Sequence, residues 1–309
     1  MRKIQNPILL ATVLAMIVSS IGCQSGNRGA PALIDNVDAD DPAGGIESIS
    51  QIYHLYPSPG EMLGIIDMAE MSFDEALLNP IGDSDKYLDT RSKTYNLGIY
   101  MADLAYAALF GRHEATLDYL EVVRDLSEEI RINRAVDEEM IEKAKNNVEY
   151  LDSLYIISNE AFMNILSFCE RNERSNTVVM LSAGAFTESL FLAVNLIDDH
   201  EDADALMQHL ADQKYTFDNF MTFATSVKTD DPNVAATIED LQKIHQIYNR
   251  IDPGSGQVSI TTAAEADEDV PKKLVIGGGG AKSQPSMSSE DFDALKAAII
   301  ELRSKIIEG

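Results

Sequence analysis

Positive charge is scarce in this chain: 24 Lys and Arg stand against 51 Asp and Glu, for a formal net charge of −27. Binding to nucleic acid, or docking on anionic lipid by charge alone, needs clustered basic side chains, and both are excluded on that ground. Cysteine is nearly absent too. Only Cys23 and Cys169 occur, so if Cys23 is committed elsewhere no intramolecular disulfide can form and the fold must stand on its packing. The signatures of familiar enzymes are missing as well. His113-Glu114 lacks the second His of a zincin, no Gly-x-Ser-x-Gly occurs, and the glycine run 277–280 lacks the Lys of a phosphate loop. No catalytic set, cofactor or metal centre is therefore expected.

What the chain does have begins at its N-terminus. Arg2 and Lys3 precede an apolar run over residues 7–21, too short to span a bilayer stably, and the run ends in Ser20-Ile21-Gly22-Cys23. This ending resembles the lipobox of bacterial lipoproteins. The resemblance implies that residues 1–22 are a signal peptide, cut off before Cys23, and that the Cys23 thiol carries lipid such as palmitate. Ser20 stands where lipoboxes usually carry Leu, so ordinary cleavage after Ser20, with Val18 and Ser20 as the small-residue pair, is the rival. An uncleaved anchor is disfavoured because the run lacks a basic stop-transfer flank. Removing residues 1–22 from the 309 leaves 287 and, with Arg2 and Lys3 gone, a net charge of −29. Membrane attachment then rests on the lipid. Gln24, rather than Asp, after the cysteine points to the outer membrane, with the periplasmic and surface faces both open.

Residues 23–50 read as a flexible tether rich in Gly, Asp, Ala and Ser. Residues 51–252 read as an all-α, multi-helix bundle of about seven helices. Ser58-Pro59-Gly60-Glu61 is a capping box, opening a helix whose apolar positions continue to Leu77 before Asn79-Pro80 stops it. Further helices are expected at roughly 89–110, 114–131, 137–171, 176–197, 202–228 and 232–251. Residues 253–288 form a linker in which 257–262 and 272–276 could pair as a small β-hairpin. A C-terminal helix over 289–309 carries Phe292, Leu295, Ile299, Leu302 and Ile306 on one face, and that face needs a partner. Thr177 to Ile197 is apolar enough to pass for a membrane span. Glu188 at its middle makes a central helix wrapped by others the better reading.

Polar groups inside these apolar helices are the candidates for chemistry: Asn96, Tyr100, Asp103 and Glu188. If Asp103 and Glu188 face each other, one carboxyl would hold a proton and the pair could do acid–base work. Alternatively each bonds a tyrosine, a cation or a free backbone group and fixes helix register, as most buried polar groups do. Asn36 to Glu47 has spacing near that of a calcium loop but has Asp41 where the turn needs Gly. His200 and Asp204 could share a helix face as zinc ligands, yet two ligands do not make a site. Both acidic runs read more simply as solvated surface. Cys169, on an apolar face, reads as a buried, inert thiol. Gly98-x-Tyr100-x-x-Asp103-Leu104 aligns loosely with Gly184-x-Phe186-x-x-Ser189-Leu190, 86 positions on. The match reads either as a faint duplication, with two small-residue helices crossing at the core, or as coincidence.

Tyr56-Pro-Ser-Pro-Gly-Glu61, Leu77-Leu-Asn-Pro80 and Asn96-Leu-Gly-Ile-Tyr-Met-Ala-Asp-Leu-Ala-Tyr106 together resemble a group of uncharacterised, mostly helical lipoproteins of Gram-negative bacteria. The likeness covers about 55–170 well and the rest loosely, and Met101 departs from a Gly in the group's pattern. It implies fold and location and carries no known activity. The expectation is a lipid-anchored envelope protein acting as a non-catalytic accessory or scaffold through an envelope protein partner. A periplasmic binder of a small ligand or cation is the alternative, and an envelope hydrolase a distant third.

Overall fold

A computed structural model describes residues 59–64, 66, 71–147, 150–198, 203–251 and 286–308. The signal peptide, Cys23, the tether, the 36–47 run, His200 and the hairpin segment lie outside these residues. The described part is 82% helical and has no strand. Nine α-helices occur in it: α1 (Pro59–Met62), α2 (Thr90–Leu109), α3 (His113–Glu129), α4 (Glu138–Asn146), α5 (Leu151–Arg171), α6 (Ser175–Asp198), α7 (Ala203–Ser226), α8 (Pro232–Arg250) and α9 (Ser289–Glu308).

Local chemistry sets the boundaries. Asp89 caps α2 by accepting the Ser92 N–H at 2.9 Å, and Asp137 caps α4 through Met140 N–H at 3.1 Å. Asp231 caps α8, with Pro232 in the first turn where a missing N–H costs nothing. At the far end of α2, Gly111 takes φ 63°. Its N–H and that of Arg112 then donate to the Ala108 and Ala107 carbonyls, at 3.1 and 2.9 Å, closing the helix in a Schellman turn.

Two expected helices come out differently. The span 137–171 is broken after Asn146, with α4 and α5 separate, so the about seven helices expected before the C-terminal one are eight among the described residues, and nine with α9. The helix expected from Pro59 to Leu77 does not run through: from Met71 to Leu88 the chain is irregular, with 3-10 turns at Glu75–Leu77 and Ile81–Lys86. Buried tyrosines explain the second departure. Tyr106 Oη accepts the Asp74 N–H at 2.8 Å, while Tyr100 and Tyr119 donate to the Pro80 and Asn79 carbonyls at 2.8 and 2.9 Å. The backbone groups of this segment are thus satisfied from α2 and α3 rather than within a helix.

The core is organised around the crossing of α2 and α6. Thr94 to Ala108 are buried without interruption in α2. In α6, 94% of the apolar window is buried, so the span-like helix lies within the bundle. The two helices meet backbone to backbone. A Cβ on Gly98 would lie 2.6 Å from the Ala185 nitrogen and closer still to the Leu181 carbonyl oxygen; one on Gly184 would overlap the Tyr95 carbonyl oxygen. Tyr95 and Leu181 are themselves 86 positions apart, as Gly98 and Gly184 are. The contact is therefore reciprocal, as across a two-fold axis. The surroundings follow the same exchange: α1 packs on α2, α5 and α6, and α9 packs on α6, α8 and α2.

Candidate functional site: a sealed carboxylate pair

All four candidate polar residues are buried, and the structure brings two of them together. Asp103, five residues past Gly98 toward the C-terminus of α2, and Glu188, one turn past Gly184 in α6, are each 0% exposed. They lie within hydrogen-bond reach of each other. Tyr100 lies one turn earlier on α2, with its hydroxyl on Pro80 O as described above. Asn96 stands apart: its Nδ2 donates to Ser92 O at 3.0 Å and to Ile306 O at 3.3 Å, joining α2 to the end of α9.

A third charge, which sequence reading did not single out, completes the cluster. Arg303 of α9 grips Glu188 with both prongs of its fork, Nε to Oε2 at 2.6 Å and Nη2 to Oε1 at 2.9 Å. Nη2 also donates to Leu77 O at 3.1 Å, and the guanidinium lies 4.0 Å over the Phe191 ring. Asp103 Oδ2 accepts the Asn79 N–H at 3.1 Å. Asn79 Nδ2 in turn donates to Tyr87 Oη at 3.1 Å. One cluster thus ties α2, α6, α9 and the Leu77–Pro80 segment.

Burial sets the electrostatics. Loss of hydration, then the Glu188 charge, pushes the Asp103 carboxyl well above the ordinary carboxylate range, against the pull of Arg303. Glu188 is also raised by burial, but the Arg303 guanidinium opposes this directly. Asp103 is accordingly the protonated partner and Glu188 the anion. Such a pair could exchange a proton with a substrate only if one reached it. Of the grooves that open to solvent, one of about 840 Å³ lies between residues 73–81 and the start of α3, lined by Phe73, Glu75, Ile81, Arg112, Glu114 and Asp118. Neither carboxylate lines it.

The remaining candidates are quickly placed. Cys169 is 0% exposed and burial pushes its thiol up to about 11, so it is neither nucleophile nor ligand at neutral pH. No group of three or more His, Cys, Asp or Glu is placed to hold a metal among the described residues. Comparison with protein-family models, with curated proteins and with solved structures returns no match.

Arg303 could have been suspected, since it flanks Leu302 on the docking face of α9. Asn79 stood in the Leu-Leu-Asn-Pro segment, but nothing in the sequence says that its backbone meets Asp103.

Proposed function

We propose that this protein is a lipid-anchored, non-catalytic accessory of the Gram-negative cell envelope, held by lipid on Cys23 and working through protein contacts of its helical bundle. The observation that best supports the non-catalytic reading is the complete burial of Asp103 and Glu188, with Glu188 held by Arg303 and Asp103 Oδ2 by the Asn79 backbone. Acid–base catalysis needs a group within reach of the substrate proton. The Ser20-Ile21-Gly22-Cys23 ending and the resemblance to helical lipoproteins support the location. In-cell crosslinking with mass spectrometry should recover the same envelope protein repeatedly; recovery of none would overturn the scaffold reading.

The anchor has its own test. Cys23→Ala should abolish palmitate incorporation and move the protein to the soluble fraction, whereas label persisting in that variant would refute the lipobox.

The groove beside α3 favours binding of a small cationic ligand as the second reading, because Glu75, Glu114 and Asp118 ring it. Calcium or spermidine at 100 times its dissociation constant would then stabilise the fold by about 2.7 kcal/mol. An unchanged melting temperature over a wide titration would remove this reading.

A further inference from the structure

The C-terminal helix is held in two chemically different ways. Its apolar face, with Phe292, Leu295, Ile299, Leu302 and Ile306 buried, supplies ordinary cohesion. Around the rim lie Lys305–Asp240 and Lys243–Glu301, each at 2.5 Å, and Arg250–Asp291 at 3.2 Å. The exposed pair Lys243–Glu301 contributes little in water, whereas Asp240 is nearly buried and also binds Arg91 of α2. Arg303 differs because its fork enters the core and meets a sealed carboxylate pair.

With both carboxylates ionised, that site would hold two negative charges against one positive, and an uncompensated buried charge is what proteins avoid by neutralising a group. The hydrogen bonds show where the neutralising proton sits. Both Glu188 oxygens accept from Arg303, and Asp103 Oδ2 accepts from Asn79. Asp103 Oδ1 is buried with no donor facing it. A proton on Oδ1, directed at Glu188, leaves neither a charge nor an acceptor unmatched.

Lys86 and Arg112, the cations beside the neighbouring tyrosines, bear on the Tyr87 and Tyr106 hydroxyls, while Arg303 is the cation that acts on the two carboxyls. Tyr100 and Tyr106 of α2, Tyr119 of α3 and Tyr87 of the preceding segment are held neutral, burial pushing each hydroxyl up. Asp74, Asp83 and Glu75 on that segment add only further negative charge. Among these groups, the balance rests on Arg303 and one proton.

We propose that α9 is a proton-linked clasp, whose docking seals Asp103 and Glu188 from water with one proton between them and which therefore opens more readily as that proton is lost. The facing ends of α8 and α9 touch through Arg250 and Asp291, and 34 residues (252–285) separate them in sequence. When α9 lifts, the carboxylates regain water, which draws Asp103 down toward the ordinary carboxylate range. The loss of Arg303 acts the other way, and burial, the largest cause for both carboxyls, sets the sign. The docked state holds the proton to higher pH. Docking is thus strongest below the ordinary range, weakens as pH rises toward the docked value, and levels above it.

Hydrogen exchange of the full chain, corrected for the intrinsic pH dependence of amide exchange, tests this. In the wild type, the opening constant of 289–308 should rise by up to tenfold per pH unit, the slope of one proton, while α2 and α6 stay protected. Asp103→Asn, which keeps the shape and supplies a fixed donor, should flatten that slope. Glu301→Gln, which cuts the exposed Lys243–Glu301 pair, should loosen α9 while leaving the slope intact. The proposal falls if wild-type opening is independent of pH, if Asp103→Asn keeps the slope, if Glu301→Gln abolishes it, or if α9 opens only in step with α2 and α6. The wild-type slope decides the matter even should Asp103→Asn fail to fold.

Discussion

Gly98→Ala is expected to destabilise the bundle severely, at or beyond the upper end of the about 1–3 kcal/mol that overpacking usually costs. Helix propensity alone argues the opposite, since Ala is favoured over Gly inside a helix by about 1 kcal/mol. The clash decides the sign. The added methyl would press on the Ala185 nitrogen at 2.6 Å and on the Leu181 carbonyl, and backbone atoms cannot rotate away as a side chain could. Relief requires α2 and α6 to separate, and much of the core is organised around their contact. Gly82→Ala is the matched control, because a Cβ there meets nothing within 4 Å. It should change stability by no more than about 0.5 kcal/mol. Urea denaturation of the two variants distinguishes these outcomes, and wild-type stability in Gly98→Ala would rule out the backbone crossing.

Glu188→Gln has the second large expected effect, a loss of about 3 kcal/mol, the low end of the range for breaking a buried ion pair. Gln preserves the shape but leaves Arg303 without its anionic fork, and a guanidinium does not shed its proton to compensate. The loss stays at the low end because Asp103 can give up its proton and supply part of the counter-charge. Glu188→Gln combined with Asp103→Asn removes that escape, so the pair of substitutions should cost more than the sum of the singles. Asp103→Asn alone should be close to neutral near pH 7, since it imitates the protonated acid already present. A large loss on Asp103→Asn with none on Glu188→Gln would reverse the assignment of charges.

The all-α class was readable because periodicity and caps agree along most of the chain, as at Asp89 and Asp231-Pro232. Glu188 in an otherwise apolar helix, and Asp103 in another, identified the polar centre, because carboxylates in such settings need partners. Their pairing stood in the sequence only as a condition, and the Gly98 and Gly184 match was equally open to coincidence; the structure places both glycines at one crossing. Less legible was the span from Met71 to Leu88. Its apolar period is helical, yet the conformation is fixed by Tyr100, Tyr106 and Tyr119, which lie up to 40 residues away in sequence. A one-dimensional pattern does not carry such contacts. Arg303 was hidden for the same reason, since 115 residues separate it from Glu188. The break between α4 and α5 falls near Asn147, a residue the apolar repeat passes over without interruption.

A double-mutant cycle between Glu188 and Arg303 tests most directly whether the sealed cluster is a structural tie. Glu188→Gln, Arg303→Met and the double variant would be compared with the wild type by urea denaturation at pH 7. A coupling energy of about 3 kcal/mol, with the double variant clearly more stable than the two single losses together would allow, is the expected result. Single losses that simply add would contradict it, since the two residues would then act independently.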